Sequence, residues 1–266
     1  MPIEDLNAIK RIVRSNFEKS AKRYETFEQQ YGLFKELTLD LAAKCHIKPG
    51  MTVADIGCGT GASTFTLADL VGPKGSVIGI DFSANMLEIA REKNALLNVE
   101  FRFGEADNVN KLIENKIDAI LFNACIFLIP TFEDTLASSY TLLKEDSNVG
   151  MNYLLSLFDQ DNVDLLQLVK EKDLDFAPYG RSIVDTSTLP KILTQIGYTN
   201  ISSDTIAIEM ERSQIMDFYS IPAHSAGLYP KTPYSDRLHL LDALLTHLET
   251  FTNTIYQRWG WVIGKK

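Results

Sequence analysis

Cysteine is scarce. Cys45, Cys58 and Cys125 are an odd number with no CxxC spacing. They exclude a disulfide framework and a paired-cysteine zinc site, and they fit a reducing compartment. Long apolar runs are missing too. No stretch reaches the roughly 18 residues of a membrane-spanning helix, and the opening MPIEDLNAIKRIV has no apolar core of signal-peptide length. The expectation is a cytoplasmic chain with no membrane partner. Cations are the minority charge, 26 Lys+Arg against 35 Asp+Glu, for a net charge of −9. That balance argues against a general polyanion binder, so no nucleic-acid partner is expected. The basic runs Lys10–Arg14 and Lys19–Arg23 read as solvated helix faces. Histidine is also sparse, with four in the chain. His239 and His247 lie too far apart along one apolar helix to share a metal, and His46 falls in a turn, so no metal site is expected. There is no internal repeat and no low-complexity tract. The oligomeric state is not legible from these features.

What is present is an ordinary globular composition, 45% apolar and 23% charged over 266 residues. That is enough for one large α/β domain, or for a domain with an insertion. Phe17, Ala21, Tyr24 and Phe27, then Leu33, Leu37 and Leu41, recur at helical spacing and predict helices over 5–45. After a turn at 46–50, strand and helix alternate. Strands are predicted at 52–56, 76–81, 99–103, 117–123 and 148–155. Helices are predicted at 62–70, 84–96 and 131–144, with a poorly patterned one near 108–114. Repeated β-α units with apolar strands mean an α/β fold with a mainly parallel sheet covered on both faces. Beyond Leu155 the alternation loosens. Helices are predicted at 159–172 and 188–196, and alternating strands at 205–211 and 255–263. Between those strands lies an insertion, residues 212–253, with Pro222, Pro230, Pro233, several aromatics and an apolar helix at 237–248. The pattern predicts an antiparallel hairpin at the sheet edge that carries a cap.

Asp55-Ile-Gly57-Cys58-Gly59-Thr-Gly61 follows the first strand and opens a helix. Glycines there let backbone come close to a ligand. Read as a dinucleotide fingerprint, Gly57, Gly59 and Ala62, with Asp81 as the ribose acid, point to an NAD(P)-dependent oxidoreductase. With Asp55 counted, the spacing D-x-G-x-G-x-G resembles motif I of the class I S-adenosylmethionine-dependent methyltransferases. The resemblance continues at Asp81 in VIGIDFS. It extends to Phe103-Gly-Glu105-Ala106-Asp107, where the family usually has Gly-Asp-Ala, and to Ile117–Asn123 as the fourth strand. It implies a Rossmann-like, seven-stranded core with S-adenosyl-L-methionine as cofactor. The implied cradle uses the amides of the loop (Gly57, Cys58, Gly59, Gly61) and of the helix N-terminus for the tail carboxylate. Asp55 would serve the tail ammonium and Asp81 the ribose hydroxyls. Phe82 and Met86 would touch the nucleoside, and Glu105 with Ala106 the adenine, Asp107 being the neighbouring alternative. Asn123 would be a polar contact to cofactor or substrate. Ser83 is the better helix cap, which leaves Asp81 to the ligand. The family's usual Leu-Lys-Pro-Gly-Gly is replaced by Leu143-Lys-Glu-Asp-Ser-Asn148, a different turn into strand five. The stretch Phe17–Gln30 is similar to the lead-in helix of quinone-type C-methyltransferases and malonyl-acyl-carrier-protein O-methyltransferases, which makes Tyr24 a candidate lid residue.

Tyr140 and Lys144 have the Tyr-x-x-x-Lys spacing of short-chain dehydrogenases, but the glycine spacing differs and no suitably placed serine precedes them. Tyr140 and Leu143 read instead as the packed face of the helix before strand five. The acceptor is expected under the cap, where Phe218–Pro230 offers His224 as a candidate general base, with Tyr219 and Tyr229 as further catalytic candidates. Few charges there mean a small, partly hydrophobic acceptor. A quinone-like or carrier-bound acyl group ranks next, the latter needing a basic patch for which Arg212, Lys231 and Arg237 are the nearby residues. The reading is a small-molecule methyltransferase, divided into a helical lid (1–50), a core (51–211), a cap (212–253) and a last core strand (254–266). The alternative from another class is a cofactor-binding regulatory or scaffold protein of the same fold without turnover.

Overall fold

A computed structural model of the chain describes residues 3–178 and 187–266, so a short part of the expected core, 179–186, lies outside the described residues. Two helices lead: α1 (Ile3–Tyr31) and α2 (Leu33–Lys44). The alternation then runs β1 (Thr52–Ile56), α3 (Ala62–Val71), β2 (Ser76–Asp81), α4 (Ala84–Lys93), β3 (Val99–Phe103), α5 (Val109–Leu112), β4 (Ile117–Phe122), α6 (Phe132–Leu142) and β5 (Leu143–Phe158). The remainder is α7 (Leu165–Glu171), α8 (Thr188–Ile196), β6 (Thr199–Met210), α9 (Arg212–Ser220), α10 (Pro222–Leu228), α11 (Tyr234–Leu248) and β7 (Ile255–Lys265).

The seven strands form one sheet in the order β3-β2-β1-β4-β5-β7-β6. The first five are parallel, and β7 runs antiparallel between β5 and β6. This is the mainly parallel sheet with an edge hairpin that the alternation predicts. Chain order reverses between β1 and β4. In such sheets the loops after two neighbouring strands diverge at that point and open a crevice at the carboxyl ends. The loop 57–61 after β1 and the stretch Asn123-Ala124-Cys125 after β4 flank it.

Local chemistry sets the element ends. Ser83 caps α4 through Met86 N at 3.3 Å, as expected. That helix stops at Lys93, before the predicted Leu96, because Asn94 turns extended and its Oδ1 takes the Leu96 amide at 3.0 Å. Asp159 folds a turn by accepting from Asp161 N and Val163 N, so α7 starts only after Asp164, whose carboxylate caps Gln167 N at 3.0 Å. The insertion reads as turn-rich in sequence but is helical. Ile221 is held extended by the following proline, Pro222 starts α10, and two short helices meet at that break.

One apolar cluster packs each face of the sheet. A third joins α1, α2 and α7 to the helices α9–α11. The long α1 straps these parts together. Glu18 accepts from Ala84 N (2.8 Å) and Asn85 N (3.1 Å) at the α4 N-terminus, and Glu25 pairs with Lys93 at 2.7 Å. On the cap side, Ser20 Oγ takes the Ala223 amide at 2.9 Å and Phe27 meets Phe218 edge-on. Among the described residues no helix is long and apolar enough to cross a membrane.

Candidate active site

A cavity of about 560 Å³ runs along the carboxyl edge of the sheet, from the loop after β3 to the cap. Its first half is built on the glycine loop. Gly57 adopts φ 74°, and a Cβ there would meet Cys125 Cβ at 2.7 Å and Sγ at 2.8 Å. No side chain fits, which is why β1 must end in glycine. Gly59 (φ 54°) lies under the Tyr24 ring, 3.7 Å from the position a Cβ would take. The loop amides are largely spent within the protein. Gly57 N and Cys58 N donate to Ile80 O, Gly61 N to Cys58 O, and Gly59 N to Asp81 Oδ2 at 2.9 Å. This corrects the expectation that the loop itself offers its amides to a tail carboxylate. The donors left for an anion are those of the first turn of α3, which have no partner inside the helix.

Asp81 lines the cavity at the tip of β2. Its carboxylate also accepts from Ser83 N at 2.8 Å. Burial pushes its pKa up to about 6 despite those backbone donors. Asp55 lies beneath the loop and does not line the cavity, contrary to the expected tail contact. Its Oδ2 accepts from Thr64 Oγ1 at 2.6 Å and ties β1 to α3. Burial, with the Asp81 charge adding to it, pushes Asp55 up to about 7. Phe82, Met86, Glu105 and Ala106 all line the same half. Glu105 is paired with Lys10 of α1 at 2.8 Å, and Lys10 also holds Asp107. The lid helix therefore reaches the two acids where the adenine amino group is expected. Cys58 and Gly61 are displaced from the cavity lining. Cys58 is buried and its thiol is pushed well up by burial, as is that of Cys125, which donates to Ile56 O at 2.8 Å.

Asn123 lines the middle of the cavity with no spare polar atom. Its Nδ2 lies within 3.0 Å of Phe34 O, Thr38 Oγ1 and Ser63 Oγ, and its Oδ1 accepts from Asn152 Nδ2 at 2.6 Å. In place of a free ligand contact, it is the knot between α2, α3, β4 and β5.

The second half is the cap side. His224 lines it from α10, a helix rather than the expected loop. Its ring stacks on Phe218 (4.1 Å between centroids), and Tyr24 approaches it edge-on at 5.8 Å. Nδ1 lies 2.9 Å from Phe218 O. A carbonyl only accepts, so Nδ1 carries the proton and Nε2 keeps its lone pair. Burial pushes the imidazole down to about 4, which keeps it neutral near pH 7. Tyr219 also lines the cavity, and burial raises its phenol. Tyr229 does not line it. The ring is fully buried and the hydroxyl is used on Phe176 O at 2.8 Å, so its expected catalytic place is corrected to a structural one. Sequence reasoning marked Tyr24 only as lid. Its ring stacks on Phe34 at 4.6 Å and lines the cavity directly above the glycine loop. Tyr140 and Lys144 lie away from the cavity, the first packed edge-on against Tyr198 and the second paired with Asp118.

This sheet, with a glycine turn at its switch point and a strand-end acid beside it, defines a Rossmann-like cofactor-binding protein. Residues 47–198, more than half of the chain, match the family model described as a methyltransferase domain. The chain belongs to that family, the class I S-adenosylmethionine-dependent methyltransferases. Its relatives include the demethylmenaquinone methyltransferase of Staphylococcus aureus (strain JH9), 32% identical over 147 residues that cover 53% of this chain and 59% of that protein. The arsenite methyltransferase of Halobacterium salinarum is 35% identical over 107 residues, 39% of this chain and 27% of that protein. The chain thus spans less than two thirds of the length of these curated relatives. Among solved structures, the YcgJ protein of Bacillus subtilis shares the fold at a TM-score of 0.60 with 13% identity, over 87% of this chain and 98% of that one.

Proposed function

We propose that the protein transfers the methyl group of S-adenosyl-L-methionine to a small, partly hydrophobic acceptor. The observation that carries this is one continuous cavity joining the Asp81 end to the His224 end. The residues fit the cofactor. Asp81 offers a carboxylate to two ribose hydroxyls, and Phe82 and Met86 offer apolar surface to the nucleoside. Gly57 and Gly59 bring backbone to the cavity wall, and Tyr24 with Phe34 covers the loop. When bound, the cofactor supplies an electrophilic methyl carbon on a sulfonium. Catalysis is then largely alignment and desolvation. The α1 strap excludes water from above. His224 Nε2 accepts from an O–H or N–H of the acceptor and turns its lone pair toward the methyl-bearing end. Well above about pH 4 the ring is neutral and keeps that acceptor role.

Of the acceptors named for the relatives, arsenite suits this cavity poorly, because Cys58 is off it and Cys125 is a buried, hydrogen-bonded thiol. The test is release of S-adenosylhomocysteine across a panel of small hydroxy- and amino-compounds. Cofactor binding without turnover on any of them would favour a scaffold role. Asp81→Ala is expected to weaken S-adenosylmethionine binding about tenfold or more in calorimetry, the size of one lost charge-assisted pair. Unchanged affinity would sink the cofactor assignment.

A further inference from the structure

The wall of the cavity opposite the cofactor half has an unusual construction. Pairing between β4 and β5 ends at Phe122 with Met151, yet β5 continues to Phe158. Its last residues overhang the sheet and pair only with β7 and, at Phe158, with Asp164. The overhang is bulged. Leu154 pairs with Trp259 and Ser156 with Arg258, leaving Leu155 as the extra residue. A regular strand sends successive side chains to opposite faces. Here Leu154, Leu155 and Ser156 all line the cavity, because the bulge and the missing neighbour open both sides of the strand to it. Trp259 lines it from β7.

Two polar groups meet this apolar wall. Ser156 Oγ donates to Asp164 Oδ1 at 2.7 Å, and that oxygen also takes Gln167 N, so the pair is oriented. Tyr219 lines the cavity, its ring packed edge-on against Phe218. A phenol hydroxyl at a cavity wall can donate to, or accept from, an oxygen of a ligand. Beside this wall the charged lining residues among those described are Asp164 and Lys170. Among the described residues no arginine lines the cavity, and its lysines are Lys10, held by Glu105 and Asp107, and Lys170.

We propose that the bulged overhang of β5 is the acceptor-selecting wall. Leu155 sets the size of the apolar group admitted, and the Tyr219 hydroxyl binds an oxygen on it. The ligand class is an uncharged, predominantly apolar ring compound with one hydroxyl or carbonyl. Among the described residues Lys170 is the one cation at this end of the cavity, and it stands near Asp164, which does not favour phosphorylated or carboxylated acceptors. This assignment rests on the methyl-transfer reading.

The probe is 1-naphthol, titrated by its fluorescence into the full chain saturated with S-adenosylhomocysteine. The unmodified chain is expected to bind it. Leu155→Trp should weaken 1-naphthol about tenfold while S-adenosylhomocysteine affinity, read by calorimetry, stays within about twofold. Leu155→Ala, which adds no bulk, guards against misfolding and should weaken it about threefold through lost contact. Tyr219→Phe should weaken 1-naphthol but leave naphthalene unchanged. Binding of S-adenosylhomocysteine with no 1-naphthol binding, or with 1-naphthol indifferent to both Leu155 changes, overturns the wall assignment alone. No S-adenosylhomocysteine binding by the unmodified chain overturns the methyl-transfer reading and this inference with it.

Discussion

At the scale of single residues, the two buried carboxyl groups decide how the site responds to pH. Asp55 and Asp81 are pushed up to about 7 and about 6, chiefly by burial. Both hold protons in the folded chain that they lose when unfolded above the ordinary carboxylate range. Their contribution to the ligand-free fold is therefore present below about pH 4 and is lost as pH rises through 6 and 7. Binding reverses the preference at Asp81, since ribose hydroxyls need the ionised carboxylate. S-adenosylhomocysteine affinity is expected to rise about tenfold or more between pH 5 and pH 8, with proton release on binding. Calorimetry in buffers of different ionisation enthalpy measures both, and an affinity flat over that range would show that Asp81 does not face the ligand. The place of Asp81 at the cavity was legible in sequence because it ends β2 while Ser83 takes the helix cap, although its two backbone donors were not. Asn123 was not, because the atoms that consume its amide come from α2, α3 and β5 and meet only in the fold.

Elements were legible where one local pattern settles them. The strand-helix alternation through β4 and the hairpin of β6 and β7 follow from apolar runs and punctuation. Of the cap helices α11 was legible as the apolar helix at 237–248, but α9 and α10 were not, because proline, glycine and aromatics in Phe218–Pro230 read as turns while Pro222 in fact starts a helix. The overhang of β5 was equally hidden. Its bulge depends on register against β7, far along the chain. The loop after β1 carries the prediction at this scale. In Gly57→Ala the new Cβ would combine left-handed backbone with a 2.7 Å clash against Cys125 Cβ. Such a change is expected to cost about 2 kcal/mol and to weaken cofactor binding through the displaced loop. Denaturant unfolding checks the first part. A midpoint equal to that of the unmodified chain would mean that the loop can relax and that its tight seat is not required.

For the whole molecule, the resemblance named the core and its cofactor, while the relation of α1 to the cap needed coordinates. In sequence, α1 is part of an expected helical lid with Tyr24 as its candidate residue, and the elements it packs against are not legible. In the fold its inner residues Lys10, Phe17 and Tyr24 line the cavity, and its outer face carries the exposed Arg11, Lys19, Lys22 and Arg23. The ion pairs that seat it, Lys10 with Glu105 and Glu25 with Lys93, are partly exposed and each contributes little, on the order of 0 to 1 kcal/mol. The lid is therefore expected to open locally at less cost than global unfolding. A ligand that touches α1 and the core together binds the closed form and lowers the open population by its saturation factor. Trypsin cuts after Lys and Arg, so the outer face reports opening directly. Saturating S-adenosylhomocysteine, at about 100 times its dissociation constant, should slow cleavage between Arg11 and Arg23 by up to about a hundredfold, against little change at exposed sites distant from the cavity such as Lys74. Mass spectrometry of timed digests reads the sites separately. Equal cleavage of α1 with and without ligand would show that the helix does not close on the cofactor, and would remove the lid from the account of how water is kept from the methyl.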